Sequence, residues 1–152
     1  MVSPVTHPDP SSAGDRILEP MIALAGCSKL QRIVVAGSKG IELALELNRR
    51  GYVRAASSAN CGRAAGQYDV ALVDWRGRTL KALGRTLDWL VGFLGPEGLL
   101  VVWLDSCKED ARQNLYAALE GRGFVIENRA LHQYGAAVSA RRREVEPLPR
   151  AA

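Results

Sequence analysis

Residues 32–40 read Arg-Ile-Val-Val-Ala-Gly-Ser-Lys-Gly, and they decide how the rest of the chain is read. Arg32 to Ala36 is a short apolar run rich in β-branched residues. Such a run suits a strand covered on both faces, as in a parallel sheet. Gly37-Ser38-Lys39-Gly40 then turns into Ile41 to Arg50, where Leu43, Ala44 and Leu47 recur at helical spacing. Gly51 stands where a glycine closes a helix. The unit is therefore strand, glycine turn, helix.

Working outward, the same alternation continues. Tyr52 to Ser57 reads as a second strand, and Ser58 to Gln67 holds small and polar residues with no pattern of its own. Tyr68 to Asp74 is a strand. Thr79 to Leu94 is a helix with Leu80, Leu83, Leu87, Leu90, Val91 and Leu94 on one face. Gly95 to Gly98 is a turn by composition, and Leu99 to Leu104 is a further buried strand. Ser106-Cys107-Lys108-Glu109 forms a capping box for a helix running to about Glu120, closed by Gly121 and Gly123. Phe124 to Ala130 and Gln133 to Ala140 are two strands too close for a crossover helix, so they form an antiparallel hairpin. Upstream, Ser12 and Asp15 cap a helix over 13–25 that must kink or restart at Pro20. The expected fold is a three-layer α/β sandwich around a mostly parallel sheet of about six strands. One domain over 13–143 is expected, with flexible tails at 1–12 and 144–152.

The composition fits a globular domain. The chain has 152 residues, 47% of them hydrophobic and 24% charged, which argues against a disordered chain. Its apolar runs fall short of the roughly 20 residues that span a bilayer, and it opens without a basic-then-apolar leader. Three cysteines, Cys27, Cys61 and Cys107, are too few and too scattered for a disulfide framework or a metal knuckle. A cytoplasmic location is expected. With only His7 and His132, no metal site is expected. The net charge is +4, with Arg129, Arg141, Arg142 and Arg143 near the C-terminus. An anionic small molecule is one reading of that surplus, and ordinary solvated surface is the other. Nucleic acid is not expected.

Three stretches together resemble the class I (Rossmann-like) S-adenosylmethionine-dependent methyltransferases. Ile33 to Gly40 resembles the family's first motif, a strand ending in a glycine loop. Tyr68 to Asp74 is similar to its fourth strand. Leu94 to Val102, continued to Gly123-Phe124-Val125-Ile126, is similar to its turn, fifth strand, helix and terminal hairpin. The resemblance spans about Leu30 to Arg143. It implies a cofactor loop at Gly37, Ser38, Lys39 and Gly40, S-adenosylmethionine as cofactor where the role is kept, and Asp74 as a substrate-contacting or catalytic group. Several positions depart from the pattern. Val35 stands where the family has an acid, Lys39 where it has a small residue, and Ala55 to Ser58 lack the acid that would hold a ribose. The helix and strand that follow in the family are expected to be missing or vestigial here.

Each candidate has two readings. The Gly37 to Gly40 loop is a ligand loop or a tight turn. Lys39, Arg76 and Arg78 form a cationic ligand rim, with Asp105 beside it, or are solvated loop charges. Asp74 is a functional carboxylate, a helix cap, or the partner of Arg76 or Arg78. His132 and Tyr134 are expected to be hairpin residues, and Cys107 lies in a helix first turn. Trp89 and Phe93 lie with Ala82 and Thr86 on a second stripe of their helix, which implies a homodimer interface or cover by the N-terminal segment. Three functions follow. The first is a methyltransferase-like domain with degenerate cofactor motifs, acting as a binding or regulatory module. The second is an active small-molecule methyltransferase. The third is an NAD(P)- or nucleotide-binding domain.

Overall fold

The structure is a computed structural model, and it describes residues 10–58, 68–76, 79–105, 109–132 and 135–142. Its elements in chain order are α1 (Pro10–Ala25), β1 (Ile33–Gly37), α2 (Gly40–Arg49), β2 (Ala55–Ser57), β3 (Tyr68–Asp74), α3 (Leu80–Phe93), β4 (Leu94–Leu104), α4 (Glu109–Glu120), β5 (Phe124–His132) and β6 (Gly135–Arg142). The strands form one sheet in the order β2-β1-β3-β4-β6-β5. The first four run parallel, and β6 is antiparallel to both β4 and β5. This is the α/β sandwich with a terminal antiparallel hairpin that the sequence predicts.

Alternation along the central strands fills both faces. Ile33, Val35, Val70, Leu72, Val101 and Trp103 point to one side, where Ile17, Leu18 and Met21 of α1 and Leu43, Ala44 and Leu47 of α2 cover them. Val34, Ala36, Ala71, Val73, Leu100 and Val102 point to the other, under Leu83, Leu87 and Leu90 of α3 and Leu115 and Leu119 of α4. A strand buried on both faces has no polar side to show, which is why these runs are continuously apolar.

Four boundaries differ from the sequence reading, each for a local reason. Helix α1 begins at Pro10 and runs through Pro20 as one element. Leu18 and Met21, fully buried on either side of Pro20, hold the helix to the sheet where the proline removes a donor. Strand β2 is only Ala55–Ser57. Asn48 donates its side-chain amide to the carbonyls of Tyr52 (2.9 Å) and Ala55 (3.1 Å), which holds 52–54 in a turn. The Gly95 to Gly98 stretch is not a turn ahead of the strand but an excursion inside β4. Tyr68 pairs with Leu94 and Val70 with Leu99, so the intervening residues bulge out. Glu97 there takes a left-handed φ of 62°. Arg142 donates to the Leu94 carbonyl, and Arg141 to that of Glu97 at 2.9 Å, tying the bulge to β6. The hairpin strands also sit at 124–132 and 135–142, not at 124–130 and 133–140.

Leu87 has no solvent exposure and faces the sheet from α3. We expect Leu87→Ala to cost about 2–5 kcal/mol, as for other core truncations. Urea unfolding followed by circular dichroism measures it, and a loss below about 1 kcal/mol would show that α3 does not close this face.

Candidate functional site

In an open α/β sheet, ligands sit outside the carboxyl ends of the strands, where the chain departs to opposite sides. Here that point lies between β1 and β3. Strand β1 leads through α2 to β2 at one edge, whereas β3 leads through α3 to β4 in the other direction. The rim is made of Gly37 to Gly40 after β1, Asp74 to Arg76 after β3, and Asp105 after β4.

Gly37 and Asp74 are register partners at the ends of their strands. Gly37 has φ +107°, and a Cβ built there would lie 2.1 Å from the Asp74 carbonyl oxygen. Glycine is required by backbone approach alone. The next amide, Ser38 N–H, donates to that same carbonyl at 3.0 Å, extending the strand pairing into the loop. The Ser38 hydroxyl then donates to the Arg76 carbonyl at 2.6 Å. The two loops that would form the lips of a crevice are therefore bonded to each other.

Asp74 is fully buried. Its Oδ1 accepts from the Arg76 backbone N–H at 3.2 Å and from Arg76 Nε at 2.8 Å, and its Oδ2 accepts from Arg76 Nη2 at 2.7 Å. This fork is the strong, directional form of a carboxylate–arginine pair. The Asp74 hydrogen bond makes Arg76 hold its proton more tightly than usual, against the opposing effect of partial burial. Asp105 and Glu42 add favourable charge to Arg76 from a greater distance. Of the three readings of Asp74, the geometry is that of the ion pair.

Lys39 is exposed and stands at the N-cap of α2, where its side chain makes no capping bond. Its Nζ lies 3.8 Å from Glu42 Oε1. Lys39 and Arg76 each have an acid at hand, so neither is an unneutralised rim cation. Arg78, Tyr134 and Cys107 lie outside the described residues. Asp105 is exposed at its strand end. His132 is exposed on β5, with its ring 5.8 Å from that of Trp103, as fits a hairpin packing residue. Cys27 follows α1, and burial pushes its thiol up to about 11 despite a backbone hydrogen bond that favours the thiolate. Burial therefore favours the neutral thiol over the thiolate. Among the described residues, no group of three or more His, Cys, Asp or Glu side chains is placed to hold a metal.

At the end of β2, Ser57 is 4% exposed and its hydroxyl has no hydrogen-bond partner. On α3, Trp89 and Phe93 are half-buried and stack on each other with centroids 4.0 Å apart. The Ser38–Arg76 bridge is the rim contact that sequence reasoning missed, because it joins residues 38 positions apart with no local signal.

No family model matches this sequence, and no curated protein matches it. Solved structures do match its fold. A ribosomal protein L11 methylase from Lactobacillus delbrueckii subsp. bulgaricus superposes with TM-score 0.62 at 12% identity, over 95% of this chain and 90% of that one. A SAM-dependent methyltransferase from Aquifex aeolicus gives 0.59 at 13% identity, over 88% and 94%. Magnesium protoporphyrin IX methyltransferase from Synechocystis PCC 6803, solved with bound SAM, gives 0.54 at 13% identity, over 87% and 79%. The chain has the class I S-adenosylmethionine-dependent methyltransferase fold.

Removing one member of a buried ion pair strands the other. Arg76→Met is expected to cost about 3–5 kcal/mol, because it leaves a fully buried carboxylate without its partner. Asp74→Asn combined with Arg76→Met should cost clearly less than the sum of the two single changes. Urea titration of the four proteins measures this coupling, and additive losses would mean that the pair does not hold the rim.

Proposed function

We propose that this chain is a methyltransferase-fold binding module whose cofactor crevice is closed by its own side chains. The observation that carries the reading is the buried Asp74 carboxylate, bonded three times by Arg76, with the Arg76 carbonyl in turn bonded by Ser38. A group that contacts a cofactor or substrate must present free acceptors or donors to it. Asp74 would first have to give up a paired arginine. The donor set also fits adenosine poorly. A carboxylate after the second strand can accept from both ribose hydroxyls, but β2 ends at Ser57 and Ser58 follows it. Losing such an acceptor costs on the order of 1–3 kcal/mol of binding. The role that remains is recognition or regulation, with a small anionic molecule as the expected ligand class.

Two other readings have weaker support. Active S-adenosylmethionine-dependent methyl transfer is favoured by the start of α2, where Lys39 makes no side-chain capping bond. A nicotinamide- or nucleotide-binding domain is disfavoured by the antiparallel terminal hairpin. The stacked Trp89–Phe93 flank of α3 supports a symmetric homodimer.

Thermal unfolding with S-adenosylmethionine, S-adenosylhomocysteine and NAD tests the central reading. All three at about 1 mM are expected to leave the midpoint within about 0.5 °C, because a ligand stabilises only the state that binds it. A rise of about 3 °C with S-adenosylhomocysteine would overturn the reading in favour of a working cofactor site. Sedimentation at about 50 µM tests the dimer. A dimeric mass that becomes monomeric in Trp89→Ser is expected, and a monomeric parent protein would overturn it.

A further inference from the structure

Several arginines are held by carboxylates or carbonyls. Arg141 is held by Glu127 and the Glu97 carbonyl, Arg142 by the Leu94 carbonyl, and Arg122 by Asp88 and the Ala118 carbonyl. Arg112 and Arg129 differ. Among the described residues, neither guanidinium has a carboxylate partner. Arg112 lies on the inward stripe of α4, ahead of buried Leu115 and Leu119. Its Nε is buried and has no hydrogen-bond partner. An N–H of a charged group held away from water without an acceptor is costly, and calls for an explanation.

A second observation lies one turn further along the helix. Tyr116 is placed at i+4 from Arg112, so the two are neighbours on α4. Arg129 of β5 reaches the same phenol from the sheet, with Nη1 donating to the hydroxyl at 3.5 Å, the outer limit of such a bond. Strand β5 packs against α4. Arg129 thus meets Tyr116 across the contact of β5 with α4, Arg112 lies one turn from that tyrosine on the helix, and neither arginine has a carboxylate partner among the described residues.

We propose that Arg112, Tyr116 and Arg129 form a binding site for a phosphomonoester carried on a small molecule. The two guanidiniums and the phenol O–H offer donors from separate elements. A tetrahedral phosphate can accept along several directions at once, whereas a planar carboxylate offers one edge. A phosphomonoester also carries between one and two negative charges near neutral pH, which matches two cations. On swinging outward to the ligand, Arg112 would exchange its enclosed, unbonded Nε for a bond to a ligand oxygen. The site adds a ligand class to the binding-module reading without depending on the closed crevice. S-adenosylhomocysteine carries no phosphate, so the two experiments fail independently.

The test is thermal unfolding of the full chain with inorganic phosphate and with ribose 5-phosphate, against chloride at equal ionic strength. Either compound at about 20 mM is expected to raise the midpoint by about 3 °C. Arg112→Met and Arg129→Met should each remove most of that rise, and broadening of the phosphorus NMR signal should disappear with it. Arg129 is exposed, so its replacement keeps the test informative if Arg112→Met fails to fold. No rise in the parent protein, or an equal rise in Arg129→Met, would overturn the site. A short RNA that binds more tightly than ribose 5-phosphate would overturn the small-molecule assignment.

Discussion

A carboxylate with no access to water terminates the central strand of this fold. Asp74 is still in register with Gly37 on one side and Trp103 on the other, so its side chain is enclosed before the chain leaves the sheet. An ionised group in that position must be neutralised nearby or it destabilises the fold. Arg76, two residues on, turns back and does so with both its backbone and its side chain. That return sets the path of the loop and places the Arg76 carbonyl where Ser38 reaches it. The Asp74 carbonyl, fixed in the same way, admits only glycine opposite.

The fold and the rim rest on different interactions. The parallel strands, their apolar faces and the terminal hairpin depend on core packing, which the rim does not touch. The rim depends on a few polar contacts, and here they point inward to each other. Positive charge follows the same logic. At the rim and along the β4 bulge, arginines are bound to carboxylates and carbonyls. Between α4 and β5, Arg112 and Arg129 have no carboxylate partner among the described residues.

Much of this architecture was legible in the residues. The β-branched runs at Ile33 to Ala36 and Val70 to Val73, and the leucine stripe of α3, have short-range periodicities that burial then uses directly. A partner for Asp74 at Arg76 or Arg78 is visible in the sequence because both stand within four residues of it. What stayed hidden is long-range. Gly95 to Gly98 looks like a turn, but the pairing of Leu94 and Leu99 with β3 and the reach of Arg141 and Arg142 from far along the chain hold it inside a strand. Tyr52 to Arg54 has strand composition, yet a turn closed by the Ala55 N–H on the Tyr52 carbonyl, which the Asn48 amide also bonds, holds it outside β2. The Ser38–Arg76 bridge and the orphaned Arg112 Nε depend on how distant segments meet, and no local pattern encodes that.

The closed rim is tested most directly by amide hydrogen exchange at Ser38, whose N–H is bonded to the Asp74 carbonyl. A loop locked to the sheet should exchange as slowly as the neighbouring strand amides of Val35 and Val73, because opening it requires disrupting the sheet end. That slow rate should not change when S-adenosylhomocysteine is added. Fast exchange at Ser38 that slows on adding S-adenosylhomocysteine would contradict the account, since it would reveal an open crevice that a cofactor closes.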